Sequence, residues 1–395
     1  DGSRDADDPD EVVTWTPLTD QMPSLAVGAL AISPYDKDDV LITTATNTPF
    51  TSLVVYFGTA SFSNSSFQGA GVGTAGVFVS MNGGGTWSAT GTNPTTAKGG
   101  LTPFRITSLV PLPPQPLPTT AAAKHTVFVG TLDATASAGG LFRSTDRGAT
   151  WDRLSGLPVG LPGVADDLPA GWVTDVAADP INFNRLYVAI AGNGAGLSGN
   201  NGIYTTGNGG DTWTATTNPP AINLVQSQRI RLSVYPTAVP PGPQPVYAGI
   251  VGQNGQLAGV FRSFNNGLMS LINWIAIGAA PPPIHGGSQG FNNFSMVADS
   301  TNANVVYVGG DGTPNTGRSV IFSGTAGTWT PITLAGAGGT EPHPDSRNMV
   351  FAPDGHILEV DDGGIYRLRN PTNPSPATPR LLQSLNGDLQ GTEIG

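Results

Sequence analysis

Short apolar runs separated by turn-forming residues organise this chain, and none has the length or the three-to-four spacing of an amphipathic helix. Runs rich in β-branched and aromatic residues, 126–130 (TVFVG), 185–189 (RLYVA), 246–250 (VYAGI) and 305–309 (VVYVG), predict innermost, fully buried strands. Further strands ending in a turn stand at 29–34 (ALAISP), 174–180 (TDVAADP), 232–236 (LSVYP) and 349–353 (MVFAP). A longer phrase then recurs at 76–87 (GVFVSMNGGGTW), 140–151 (GLFRSTDRGATW) and 202–213 (GIYTTGNGGDTW), with degraded copies at 259–267 (GVFRSFNNG) and 320–329 (VIFSGTAGTW). Recurrence of this kind means one supersecondary unit repeated, each burying its apolar faces against its neighbours.

Each copy of the phrase reads as a β-hairpin whose turn carries its own acceptor. The set comprises Ser80, Asn82, Gly84 and Trp87; Ser144, Asp146, Gly148 and Trp151; Thr206, Asn208, Gly210 and Trp213; and the degraded Ser263, Asn265 and Gly267. Asp146, or Asn82 and Asn208 in its place, accepts from its own turn; the glycines supply a backbone angle that other residues resist, and the tryptophans anchor the next strand. This pattern resembles the Asp-box, or BNR repeat, of sialidases, sortilin-type receptors and tandem-propeller xyloglucanases. It is most similar to the BNR-like propeller modules of large secreted bacterial surface proteins. The resemblance implies an all-β fold, a single β-propeller of four-stranded blades, in which the box stabilises the blade and seldom touches ligand.

Six units are recognisable, beginning near Leu25, Phe104, Trp172, Arg229, Phe294 and Ser346, with a partial seventh as the alternative. The propeller is expected over 13–395, behind an acidic, flexible leader at 1–12. The segment 13–20 (VTWTPLTD) resembles an outer Trp strand without inner strands before it, so 13–18 is expected to pair with the last blade and close the ring. At the other end, 384–394 (SLNGDLQGTEI) reads as an outer strand followed by the opening of one more blade, which implies a longer polypeptide or assembly.

Composition narrows the setting. With 54 Gly, 35 Pro and only 11% charged residues the chain fits a turn-rich β protein, and zero Cys excludes disulfides, thiol chemistry and cysteine zinc sites. No apolar stretch is long enough to span a membrane. A net charge of −11 without a basic cluster argues against nucleic acid as a partner. The proline-rich loops at 111–118, 240–245 and 281–283 read as stiff surface connections.

Candidate chemistry is sparse. A sialidase-type site needs an arginine trio; Phe104-Arg105-Ile106-Thr107 approaches the Phe/Tyr-Arg-Ile-Pro motif, and Arg229, Arg231, Arg318 and Arg347 are further arms. Arg105 and Arg229 occupy equivalent strand starts, so the repeat itself explains them. A tandem-propeller hydrolase places two carboxylates across a cleft, with Asp175 and Asp311 as channel-facing candidates. The stretch 341–367 resembles the closing half of BNR-like modules. It predicts a rim of His343, Asp345, Arg347, Glu359, Asp361 and Asp362, read either as an ion-paired blade junction or as a ligand site. Asp361 and Asp362 are weak calcium candidates, no other cofactor is expected, and no catalytic residue is assigned. His125, His285 and His356 stand alone in the sequence and read as ordinary loop histidines. The expected function is a non-catalytic, secreted or cell-surface recognition and assembly module for protein or glycan, the alternative a sialidase- or xyloglucanase-like glycoside hydrolase.

Overall fold

The computed structural model describes residues 13–389 apart from 25, 44, 61–74, 92–100, 102–103, 113–119, 133–138, 157–167, 193–196, 220–221, 238–243, 265–272, 315, 326 and 373. Six antiparallel sheets of four strands each, in chain order within every sheet, form a six-bladed β-propeller with almost no helix. Blade one is β1 (Val27–Ile32), β2 (Val55–Thr59), β3 (Val77–Ser80) and β4 (Ser88–Ala89). Blade two is β5 (Arg105–Pro111), β6 (Val127–Leu132), β7 (Gly140–Ser144) and β8 (Asp152–Arg153). Blade three is β9 (Val173–Asp179), β10 (Asn182–Ile190), β11 (Gly202–Thr206) and β12 (Thr214–Ala215). Blade four is β13 (Ser227–Val234), β14 (Val246–Gly252), β15 (Leu257–Phe264) and β16 (Asn273–Ala276). Blade five is β17 (Ser295–Ala298), β18 (Val306–Gly309), β19 (Phe322–Gly324) and β20 (Trp329–Pro331). Blade six is β21 (Asn348–Phe351), β22 (Ile357–Asp361), β23 (Gly364–Arg369) and β24 (Leu381–Ser384).

The innermost strands β1, β5, β9, β13, β17 and β21 pack side by side in that order. One column of small residues permits this. Gly58, Gly130, Ala189, Gly249 and Gly309 stand at equivalent places on the second strands. A Cβ on Gly58 would lie 2.3 Å from Ile106, on Gly130 2.7 Å from Val173, on Gly249 2.4 Å from Phe294 and on Gly309 2.7 Å from Met349, each on the next blade. Absence of a side chain therefore sets how closely the blades stack. Blade six carries Val360 there, paired with Asn348, and it is 38% exposed.

Five buried apolar clusters fill the junctions one–two, two–three, three–four, four–five and five–six. Among the described residues no such cluster joins blade six to blade one. There β1 turns Val27, Leu30 and Ile32 outward at 45%, 68% and 57% exposure, while blade six presents Val350 and Leu381.

The segment expected as a strand at 13–18 forms no backbone ladder. Instead Trp15 donates its amide to Asp388 Oδ1 (2.7 Å) and its indole N–H to the Leu385 carbonyl (2.9 Å), just past β24. Leu18 in turn accepts from the indole of Trp87 at 3.0 Å. The calls at 1–12 and 390–395 lie outside the described residues, as do most of the first two proline-rich loops.

Candidate functional site

The repeated turns are wired alike in the first three blades. Ser144 Oγ donates to Asp146 Oδ1 (2.8 Å) and accepts from the Gly148 amide (2.7 Å); Asp146 Oδ1 accepts from the Thr150 amide and Oδ2 from its hydroxyl, at 2.8 and 2.6 Å. Ser80 and Asn82 repeat this with Gly84 and Thr86, and Thr206 and Asn208 with Gly210 and Thr212. Burial alone would raise the Asp146 carboxyl, but donors from Thr150 and Ser144 outweigh it and hold the group below its ordinary value. Gly84, Gly148 and Gly210 all adopt positive φ, at 95°, 91° and 90°. In the fourth copy Ser263 Oγ instead accepts from the Val246 amide at 2.8 Å, while Asn265 and Gly267 lie outside the described residues.

The rim residues gather at the junction of blades five and six, where the ends of β18 and β22 meet the entry to β21. Arg347 grips Asp362 at two points, Nε to Oδ1 at 2.8 Å and Nη2 to Oδ2 at 3.1 Å. Glu359 and Asp361 occupy successive same-face positions of β22, at 0% and 6% exposure. Ser346 Oγ donates to Glu359 Oε1 at 2.6 Å and the Gly363 amide to Asp361 Oδ1 at 2.7 Å. Glu359 Oε2 and Asp361 Oδ2 are buried with no hydrogen-bond partner among the described residues. Burial and then the Asp361 charge push Glu359 well up, and burial pushes Asp361 up to about 6.

Asp345, like Asp362, is a rim acid with partial exposure. It sits at φ 74°, in the left-handed region, and accepts from Asn293 Nδ2. Burial first, and then the Asp362 charge, push its carboxyl up to about 6. His343 is exposed and contacts only the neighbouring Pro344 carbonyl through its ring, at 3.0 Å.

Two of the histidines read as ordinary loop residues are otherwise. His285 is fully buried, with Nδ1 3.4 Å from Asp311 Oδ1, because a parallel bridge to Gly312 brings the two loops together. His125 Nε2 meets Asp39 Oδ1 at 2.8 Å, and Arg147 joins the same carboxylate. A contact that crosses blades leaves no local pattern from which to foresee it. The channel candidate Asp175 is a tie between blades: it accepts from Ser108 Oγ (3.0 Å) of blade two and the Leu232 amide (2.8 Å) of blade four. Arg229 gives Nη1 to the carbonyls of Phe291 and Asn292, and Arg231 reaches Asn348 Oδ1 at 3.0 Å. Arg318 pairs with Glu341. Arg229, Arg231 and Arg347 stand near one another, so that burial first and then the charges of Arg231 and Arg347 lower the Arg229 pKa, while each also serves protein carbonyls, amides or acids.

Fold and rim define a β-propeller with a cluster of charged residues at the junction of blades five and six. No protein-family model matches the chain, and no curated protein matches it either. Among solved structures it is similar to the GH74 xyloglucanase from Xanthomonas campestris, with a TM-score of 0.53, 19% identity, and coverage of 92% of this chain and 48% of that one. It is also similar to an ancestral GH74 enzyme, with a TM-score of 0.52, 15% identity, and coverage of 91% and 40%. At such identity the likeness is one of fold, and the chain spans about half the length of these structures or less. No helix among the described residues is long and apolar enough to cross a membrane.

Proposed function

We propose that this propeller is a non-catalytic, secreted or cell-surface module that recognises protein or glycan. One observation carries the reading: the rim acids are engaged by the rim itself. Asp362 is held by Arg347, Glu359 by Ser346, Asp361 by the Gly363 amide, and Asp345 by Asn293. Hydrolysis by the usual two-carboxylate route needs one carboxylate free to attack or to activate water and another free to protonate. Purified protein incubated with xyloglucan, arabinan and sialosides is therefore expected to release no reducing ends or sialic acid. Binding to one polymer class without turnover, read by calorimetry, supports the module; turnover refutes it.

A second reading is favoured by Asp345, whose partly exposed carboxyl is pushed up to about 6 beside Asp362. That is the environment a glycosidase gives its general acid. In this alternative the chain is a carbohydrate-active hydrolase. Any turnover detected should then be lost in Asp345→Asn while the melting temperature stays near that of the parent.

A further inference from the structure

The outer strands follow one rule from blade to blade. In blades one to five the residue three places after the outer-strand tryptophan, Thr90, Leu154, Thr216, Ile277 and Ile332, donates its amide to the third strand of its own blade. In blades four and five the outer-strand indole N–H reaches the carbonyl at or next to that place on the preceding blade, Trp274 to Thr217 and Trp329 to Ile277, whereas the Trp213 indole bonds Gly210 of its own turn. The same side chains pack on the next box glycine, so that Thr90 lies against Gly148 and Leu154 against Gly210.

Trp15 repeats the pattern of Trp274 and Trp329. Its indole bonds Leu385, whose amide donates to Ile365 on the third strand of blade six, so Leu385 holds the equivalent place there. Leu18, three places after Trp15, accepts from the Trp87 indole and packs on Gly84, the box glycine of blade one. The segment 13–18, though it forms no ladder, thus makes the contacts of an outer strand between blade six and blade one. Both flanks of that position are uncovered: Val27, Leu30 and Ile32 on one side, Val350, Val360 and Leu381 on the other.

We propose that a seventh blade fills this wedge, with 13–18 as its outermost strand and three inner strands from polypeptide that follows β24. The direction comes from the path of the chain. Every other interblade connection runs from an outer strand to the inner strand of the next blade, and β24 is an outer strand whose continuation through Leu385 and Asp388 already touches Trp15. The missing sheet must be apolar on both faces, as β6 and β10 are where they lie between two blades.

The chain has no Cys, so single Leu30→Cys, Ile32→Cys, Val350→Cys and Val360→Cys variants report on the wedge. In the 395-residue chain all four thiols are expected to react with a maleimide at close to the rate in denaturant. In the polypeptide that continues past Gly395, the same thiols are expected to react about tenfold more slowly or less, as buried positions do. Protection in the monomeric 395-residue chain would mean that six blades close on themselves, which overturns the proposal. Protection that appears only with a dimer on size exclusion would assign the wedge to a second copy and overturn it equally. A reading frame that encodes no further strands after Gly395, or a longer monomer with freely reactive thiols, would also overturn it.

Discussion

Asp146 takes a hydrogen bond from the backbone and one from the hydroxyl of Thr150 within its own turn, so its loss strands donors that the turn has already withdrawn from bulk water. Asp146→Ala is expected to lower stability by about 1 to 2 kcal/mol in chemical denaturation, with ligand recognition unchanged. The buried carboxyls of Glu359 and Asp361, both raised, act in the other direction on pH. A carboxyl raised on folding binds its proton more tightly in the native state, so its contribution is full below the ordinary value near 4 and falls as pH rises through the folded value. For Asp361 and Asp345 that window runs from near 4 to about 6. Asp361→Asn should flatten part of the decline in melting temperature over this range, and an unchanged slope would remove Asp361 from the account. Asp299 has the opposite sign: burial opposes its charge, but donors from Thr372, Tyr307, Thr301 and Asn302 win and lower it, so its support is lost on acidification below about 4.

Between elements, the close-packed column on the second strands is the most exacting feature. Gly58→Val must displace Ile106 or part blades one and two, and is expected to cost about 1 to 3 kcal/mol as an overpacked junction. Val360→Gly, at the equivalent place on blade six, should cost no more than an exposed strand substitution in the 395-residue chain; equal costs in the two denaturation curves would contradict the asymmetry. The blades themselves were legible because their cues are local. A Ser-x-Asp-x-Gly turn, a buried strand ending in a small residue and a following Trp all lie within a few residues of one another. The pairing of His285 with Asp311 was not, since it depends on two loops meeting across blade five. The segment 13–18 looked like a strand and forms no ladder, because a strand is completed by a neighbour and not by its own residues.

At the scale of the molecule, blades are joined by polar ties set among apolar junctions. Asp175 links three of them, and Asp175→Ala should expose the Leu232 amide and the Ser108 hydroxyl to a dry environment and reduce cooperativity of unfolding. At the rim, the Arg347 cation beside Asp362 opposes a divalent ion. Added calcium is therefore expected to leave the melting temperature unchanged, and a calcium-dependent rise that disappears in Asp361→Asn would instead reveal a site.

Six of the seven tryptophans belong to the outer-strand series and the neighbouring turns or to 13–18, which makes the ring its own optical instrument. Trp151, Trp213 and Trp274 are buried, whereas Trp15 is 38% exposed and is held only at the edge of the wedge. Acrylamide should therefore extinguish the reddest part of the emission first, and that fraction should vanish in Trp15→Phe. The colour of the fluorescence then reports whether the place between the last blade and the first is occupied, without any label.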